Sequence, residues 1–286
     1  MTDLDHDDLS RWVGRHIEHV DAMDPFAARA LAAALDRERL PESGDLLPPV
    51  WHWLYFLAAP SAASTREDGH PALEGGLLPP TLPPRRMWAA SELHFDAPLI
   101  VGTPARRRST IVEIEAKTGR TGPLVFVHVE HVVSQLEVPR VRERQTLVYR
   151  PAATGPHALG VGDPAPGTAS WENVVRPDPV LLFRYSALTY NAHRIHYDRS
   201  YATSQEHFAG LVVHGPLIAT LLLELVARRV RGRTVRSFRF RAQRPAFEGE
   251  ALHVCGEPDG NDVTLWTKDA TGAIGTTAHA LLASAW

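Results

Sequence analysis

The chain has 286 residues, 44% hydrophobic and 22% charged, with a formal net charge of −3. That length suits one large domain or two of roughly 140 residues with ordinary cores, and the charge gives no overall pull toward nucleic acid or an anionic membrane. A single cysteine, Cys255, excludes an internal disulfide and a cysteine metal cluster and points to a reducing, cytoplasmic setting.

The acidic start, MTDLDHDDLS, has neither the basic nor the apolar part of an export signal, so no cleaved leader is expected. No membrane span is expected either, because the most apolar run, LIATLLLELVARR, is interrupted by Glu224.

Taken in order, Asp7 to Leu40 reads as two helices broken near Met23-Asp24-Pro25. Trp12, Ile17 and Val20 give the stripe of the first, and Asp24 caps the second with Pro25 at its first position. PPVWHWLYFLAA, from Pro48, reads as a short apolar helix. From Pro60 to Arg86 a proline-rich stretch is too long for a simple connection and is either a lid or a disordered excursion. The period then changes to two, with strands expected at Trp88 to Phe95, Arg108 to Thr118, Leu124 to Leu136 and Gln145 to Tyr149. Thr118 to Pro123 is hairpin punctuation.

Pro151 to Ser170, dominated by Pro, Gly and Ala, reads as a linker between a first half, 1–150, and a second, 171–286. Leu181 to Thr189 is strand-like and Val213 to Val230 is a helix. Strands follow at Thr234 to Ala242, Ala251 to Gly256, Val263 to Lys268 and Ile274 to Ala283.

The halves can be laid on one another. Pro98 precedes Gly102, and Pro245 precedes Gly249, by four residues in each case; later come Thr121-Gly122 and Thr271-Gly272 in matching turns. An internal duplication of one helix-plus-antiparallel-sheet unit follows, an α+β design in which each sheet curls round one apolar helix, Val50 to Ala58 or Val213 to Val230.

The chemistry concentrates at YSALTYNAHRIH, Tyr185 to His196, and at the glycine-bearing helix start after Leu211. Asn191, His193 and His196 sit at i, i+2 and i+5 after a strand, where a turn can gather them. His196 can exchange a proton near neutral pH, and the Asn191 carboxamide can hold a water. Ligation of a metal by His193, His196 and His214 lacks a carboxylate at a recognised spacing, and no metal is expected. Eight arginines between Arg228 and Arg244, Arg241 among them, are either the solvent face of a strand or a patch for phosphates.

The blocks TYNAHRIHYD, HGPLIA and PAFEG, in that order and spacing, resemble the hydratase motif of the MaoC-like, hydroxyacyl-thioester dehydratase type 2 family, and WHWLYF with GRTGPLVFV resembles the N-terminal domain found in one of its subgroups. The resemblance implies a tandem (double) hot-dog: an N-terminal non-catalytic half and a C-terminal catalytic one. It implies reversible (R)-specific hydration of a 2-enoyl-CoA thioester carrying a short or dicarboxylic acyl group, such as mesaconyl-C4-CoA or itaconyl-CoA, with no cofactor. By position, His196 matches the family's catalytic histidine and Asn191 stands where most members have an aspartate; His193 and Arg194 replace an asparagine and a proline. Gly215, opening the apolar helix, would offer its backbone N–H to the thioester oxygen. His193, Arg194, His214 and Arg241 are the expected substrate contacts, with Arg85 and Arg86 as further partners for an acyl carboxylate. Pairing into a homodimer is a further expectation of the fold. Two other readings remain: a thioesterase, which wants a carboxylate base near the start of the central helix, where Glu224 lies roughly two and a half turns beyond Gly215, and a non-catalytic acyl-thioester-binding subunit.

Overall fold

The computed structural model describes residues 9–119, 122–152, 155 and 160–284. Its centre is one ten-stranded antiparallel sheet in the order β1-β3-β4-β5-β2-β7-β10-β9-β8-β6. The strands are β1 (His16–Asp21), β2 (Arg85–Phe95), β3 (Ala105–Gly119), β4 (Gly122–Gln135), β5 (Val138–Arg150), β6 (Trp171–Val175), β7 (Arg233–Ala242), β8 (Leu252–Asp259), β9 (Asp262–Lys268) and β10 (Ile274–Ser284). From the middle outward, β2-β5-β4-β3-β1 on one side repeats as β7-β10-β9-β8-β6 on the other. The repeat extends to turn chemistry, since Gly102 and Gly249 both have positive φ, 77° and 73°, which a Cβ would strain.

The halves meet where β2 pairs with β7, from Ala90↔Arg241 to His94↔Ser237. This ladder gives each half's inner edge strand a partner.

The helices that lie wholly within the described residues are α1 (Pro25–Ala34), α2 (Pro179–Leu188), α3 (Arg199–Ser204) and α4 (Gly215–Arg229). α4 is enclosed from Leu217 to Val226 and fills the concavity of the second half, joining a core that includes Phe238, Phe240 and Leu265. A helix apolar on every side has to be buried in this way. It is not long and apolar enough to cross a membrane, nor is any other described helix.

Several expectations change. Trp12, Ile17 and Val20 do not form a helical stripe: residues from His16 to Asp21 lie along the edge of β3 as β1, leaving Val20 exposed. Leu181 to Thr189 is helical, not strand-like. Asp178 caps α2 by accepting from the Leu181 N–H at 2.7 Å, with Pro179 in the first turn, the same Asp-Pro device that starts α1 at Asp24-Pro25. Val50 to Ala58 is not a helix. Only Trp51–Leu54 makes a 3-10 turn, bracketed by left-handed Val50 and Phe56, although Trp51, Leu54, Tyr55 and Phe56 are all buried. The first half therefore sends an irregular apolar segment into the core where one long helix was expected, and α1 packs against that segment and against α2. β6 and α3 are elements that the period did not reveal.

Of the hairpin turn at Thr118 to Pro123, Arg120 and Thr121 lie outside the described residues, as do 153–154 and 156–159 of the linker. The linker's final part returns along the second half, where the Ala165 N–H donates to the Gly272 carbonyl at 2.9 Å.

Candidate active site

The three blocks are far apart in sequence and are drawn together by backbone hydrogen bonds around residues 211–213. The Val212 N–H donates to the Ile195 carbonyl at 2.9 Å, the Val213 N–H to Ala246 at 2.8 Å and the Glu248 N–H to Leu211 at 3.0 Å. Glu248 adds a clamp, its Oε1 accepting from the Leu211 N–H at 3.0 Å and from Arg199 at 2.7 Å. These bonds leave the 3-10 turn Arg194–His196 beside the first turn of α4.

A file of four histidine rings results. His70 lies 4.0 Å from His193 between ring centroids, His193 stands edge-on to His196 at 5.6 Å, and His196 stacks on His214 at 3.7 Å. All four are buried. Loss of hydration disfavours the imidazolium throughout: His70 and His196 are each lowered to about 4, and His193 and His214 are pushed further down, with neighbouring rings adding to the effect. All four are neutral at pH 7.

Neutrality makes the tautomer informative. His196 Nδ1 lies 2.7 Å from the Val212 carbonyl oxygen, which can only accept, so Nδ1 carries the hydrogen and Nε2 keeps a lone pair. His214 Nε2 is 2.8 Å from the Ser186 hydroxyl, on α2.

The other expected residues divide. Asn191 is half-buried, and its carboxamide oxygen accepts from the His193 N–H at 3.1 Å, which leaves the amide's own N–H groups as donors. Gly215 opens α4, where the first-turn N–H groups have no partner within the helix. Its nearest neighbour for an added Cβ is the Trp88 carbonyl on β2, at 3.7 Å, so packing would admit alanine. The expected substrate contacts Arg194 and Arg241 are not gathered with the histidines. The Arg194 guanidinium is held by Asp198 at 2.8 and 3.1 Å and lies over the Tyr201 ring. Arg241 alternates with buried Phe240 along β7 and faces out from the other side of the sheet. The period of two carried that information, because residues alternating with Phe238 and Phe240 along this strand must point away from the core.

The stretch from Pro60 to Arg86 resolves an open alternative: it packs onto the site. The Arg194 N–H donates to the Asp68 carbonyl at 2.9 Å, and Gly69, at φ 91°, sits so close to Ala192 that an added Cβ would lie 1.7 Å from its carbonyl oxygen. His70 rides on this loop. Asp68, His70 and His193 consequently form a group with metal-ligand chemistry that spacing along the chain could not reveal, their ligand atoms within 4.8 Å of one another. Glu224, the base a thioesterase would need, is instead enclosed in α4 and held by Arg37 through Nε at 2.8 Å and a second nitrogen at 2.5 Å.

Comparison with known proteins places the family and the fold. Residues 50–248 match the family described as hydroxyacyl-thioester dehydratase type 2. The mesaconyl-C(4)-CoA hydratase of Chloroflexus aurantiacus is 44% identical over 275 residues, covering 95% of each chain. Among solved structures, a MaoC-like dehydratase from Phytophthora capsici superposes with a TM-score of 0.72 at 13% identity, over 99% of this chain and 100% of that one. A Mycobacterium tuberculosis protein described as a double hot-dog gives 0.58 at 14% identity, over 97% of this chain and 98% of its own. The chain belongs to the hydroxyacyl-thioester dehydratase type 2 family, and its continuous sheet is a tandem hot-dog.

Proposed function

We propose that the chain is a hydro-lyase that adds water across the double bond of a 2-enoyl-CoA thioester and removes it in the reverse direction. His196 is the general acid and base. Its Nε2 lone pair takes a proton from water as the water oxygen bonds to C3. The π electrons move toward the thioester oxygen, giving an enolate, and the imidazolium returns a proton to C2. The enolate oxygen is met by the Gly215 N–H at the start of α4, where helix-end donors and the helix dipole favour negative charge. Asn191 holds the water with its N–H groups. An amide is no base at pH 7, so the proton traffic runs through one residue. His193 and His214 frame that residue, and as neutral rings they bring no charge that would compete with it.

The observation that carries this reading is the 2.7 Å contact of His196 Nδ1 with the Val212 carbonyl, which presents Nε2 unprotonated in a site where burial keeps the ring neutral. The division of labour is part of the proposal: the first half, 1–150, shapes the acyl pocket and the second, 171–286, moves the proton, with 151–170 as the link. The acyl group is short or dicarboxylic, in keeping with the name of the Chloroflexus relative. No cofactor enters the steps as written. A homodimer and a cytoplasmic setting complete the proposal, and light scattering and cell fractionation read them.

His196→Ala is expected to lower kcat by about 10² to 10⁴, followed as loss of enoyl-thioester absorbance, with the thermal midpoint close to that of the parent. Near-normal turnover in a folded variant overturns the assignment. Release of free thiol by the parent would favour the thioesterase, which the Arg37–Glu224 pair argues against, and thioester binding without turnover would favour a binding subunit.

A further inference from the structure

At the end of the β2–β5 pair nearest the histidine file, Arg85 faces Arg150 across the antiparallel register, with Arg86 facing Tyr149. Like charges directly opposite one another destabilise a strand pair. Burial and then the neighbouring Arg85 disfavour the Arg150 cation, and Glu206 offsets them only in part. A fold that keeps this arrangement has a use for positive charge there.

Compensation is incomplete. Glu206 pairs with Arg85 and also takes a long hydrogen bond from the Tyr201 hydroxyl, at 3.4 Å. Asp68 accepts from Arg66 at 2.8 Å and from the His70 N–H at 2.9 Å. Among the described ion pairs none uses Arg86 or Arg150, and the Arg150 Nε is buried without a hydrogen-bond partner among the described residues. Arg85, Arg86, Arg150 and His193, with Asp68 and Glu206, line a cavity of about 40 Å³. A water occupies about 10–15 Å³ on this measure, so there is room for a group of about three heavy atoms. Both lining carboxylates are already engaged, and the charge left over is positive.

Such a field selects an anion. The Asp68–His70–His193 group would otherwise suggest a cation, but the arginines beside it oppose one. His193 fixes the cavity's relation to the chemistry, since it forms part of the wall and its ring lies 5.6 Å from that of His196. A carboxylate on the β-carbon of an enoyl thioester is one bond from the carbon that water attacks, so its subsite has to lie next to the residue that moves the proton.

We propose that this cavity is the subsite for a carboxylate borne on the β-carbon of the acyl group, with Arg86 and Arg150 as its specificity-determining residues. The proposal rests on the hydratase reading above and deepens it: the preferred substrate is a short enoyl-CoA with an acidic β-substituent. Arg85 acts mainly by holding Glu206, so its own charge is largely spent within the fold.

The test compares hydration of mesaconyl-C4-CoA, which has the β-carboxylate, with that of crotonyl-CoA, which has only a β-methyl group. The parent protein, Arg150→Gln, Arg86→Gln and Arg150→Lys are measured side by side. In the parent, kcat/KM favours mesaconyl-C4-CoA. Either glutamine variant is expected to reduce that preference on the order of 30-fold, the weight of one charge-assisted hydrogen bond, mainly through KM, and Arg150→Lys to restore part of it. Equal losses on both substrates, or a preference that does not move in folded variants, overturn the subsite. A parent that hydrates crotonyl-CoA but shows no preference overturns the subsite alone. A parent that hydrates neither overturns the hydratase reading with it. Should Arg150→Gln fail to fold, Arg86→Gln decides.

Discussion

Glu143 in the first half and His196 in the second are both enclosed, but the groups around them do opposite things. Glu143 is paired on every side: Oε1 accepts from the Ser91 hydroxyl at 2.7 Å, and Oε2 from the Trp53 indole at 2.9 Å and lies 3.3 Å from His52 Nε2. Against the effect of burial, these hydrogen bonds, His52 first, and the nearby histidines hold its carboxyl down to about 2. His131 in the same half has both ring nitrogens bonded, to Ser109 at 2.8 Å and Gln145 at 3.4 Å. In the second half, no carboxylate among the described residues hydrogen-bonds to the rings of His193, His196 or His214, and the Nδ1 of His214 has no partner among them. Two copies of one topology have thus diverged. Complete pairing makes the buried Glu143 part of the scaffold, whereas at His196 burial with an unprotonated Nε2 suits the proton transfer proposed above. The scaffold also serves the reagent, because Trp88 donates to Ser91 at 2.8 Å while its carbonyl lies over Gly215.

Breaking the first half's pairing should show most strongly in stability. Glu143→Ala leaves Trp53, Ser91 and His52 without their shared acceptor and is expected to cost about 3–5 kcal/mol, read by chemical denaturation, while the protein that remains folded keeps most of its kcat. A loss confined to kcat, with stability untouched, would mean that the first half takes part in the chemistry.

Gly69→Ala attacks the seam between loop and site. Its Cβ would lie 1.7 Å from the Ala192 carbonyl and its φ of 91° disfavours any side chain, so the loop must lift and carry His70 away from His193. The expected cost is about 1–3 kcal/mol, with kcat/KM falling by more than that stability loss explains. Retained activity together with unchanged protection of the loop from proteolysis would show that the contact is dispensable.

The buried histidines and Glu143 also separate by pH. His196 is lowered from 6.5 to about 4, so the folded state resists protonation: its contribution to stability is complete above pH 6.5 and is lost as the pH falls toward 4. His70 and His131 add to that window. Glu143, lowered from 4.5 to about 2, contributes above pH 4.5 and is lost as the pH falls toward 2. Activity should be flat from neutral pH down to about 5 and fall through about 4 as His196 Nε2 is protonated, measured as kcat/KM against pH. A limb near 6.5 would place the proton on a group in contact with water.

Asn191→Asp makes the smallest change. The carboxylate still accepts from the His193 N–H, so the fold should hold. Negative charge beside the histidine file favours imidazolium, which moves the acid limb upward from about 4. Abolished activity at every pH would show that the site depends on the amide's N–H donors.

Much of this was legible in the chain because its signals are local. The period of two marked β2, β3, β4 and β7, the unbroken apolar run marked α4, and the paired Pro-Gly and Thr-Gly turns marked the duplication that the sheet order repeats. Where local signals misled, tertiary demand decided. Residues around Ile17 became a strand because β3 had an open edge to pair, and WHWL stayed a 3-10 turn between left-handed Val50 and Phe56. The α2 error was avoidable, since Asp178-Pro179 repeats the start of α1. The shared outward direction of Arg239 and Arg241 was also readable from alternation with Phe238 and Phe240.

The sequence by itself determined the family, the double hot-dog and the three blocks that hold His196, Asn191 and Gly215, because residue type and spacing survive in one dimension. Only the tertiary structure decided which nitrogen of His196 keeps its lone pair, that His70 joins the file from a loop more than a hundred residues away, and that Arg85, Arg86 and Arg150 surround one cavity. Those facts depend on long-range hydrogen bonds and strand register, on the Val212 carbonyl, the Asp68–Arg194 contact and the β2–β5 ladder, and no local pattern in the chain encodes them.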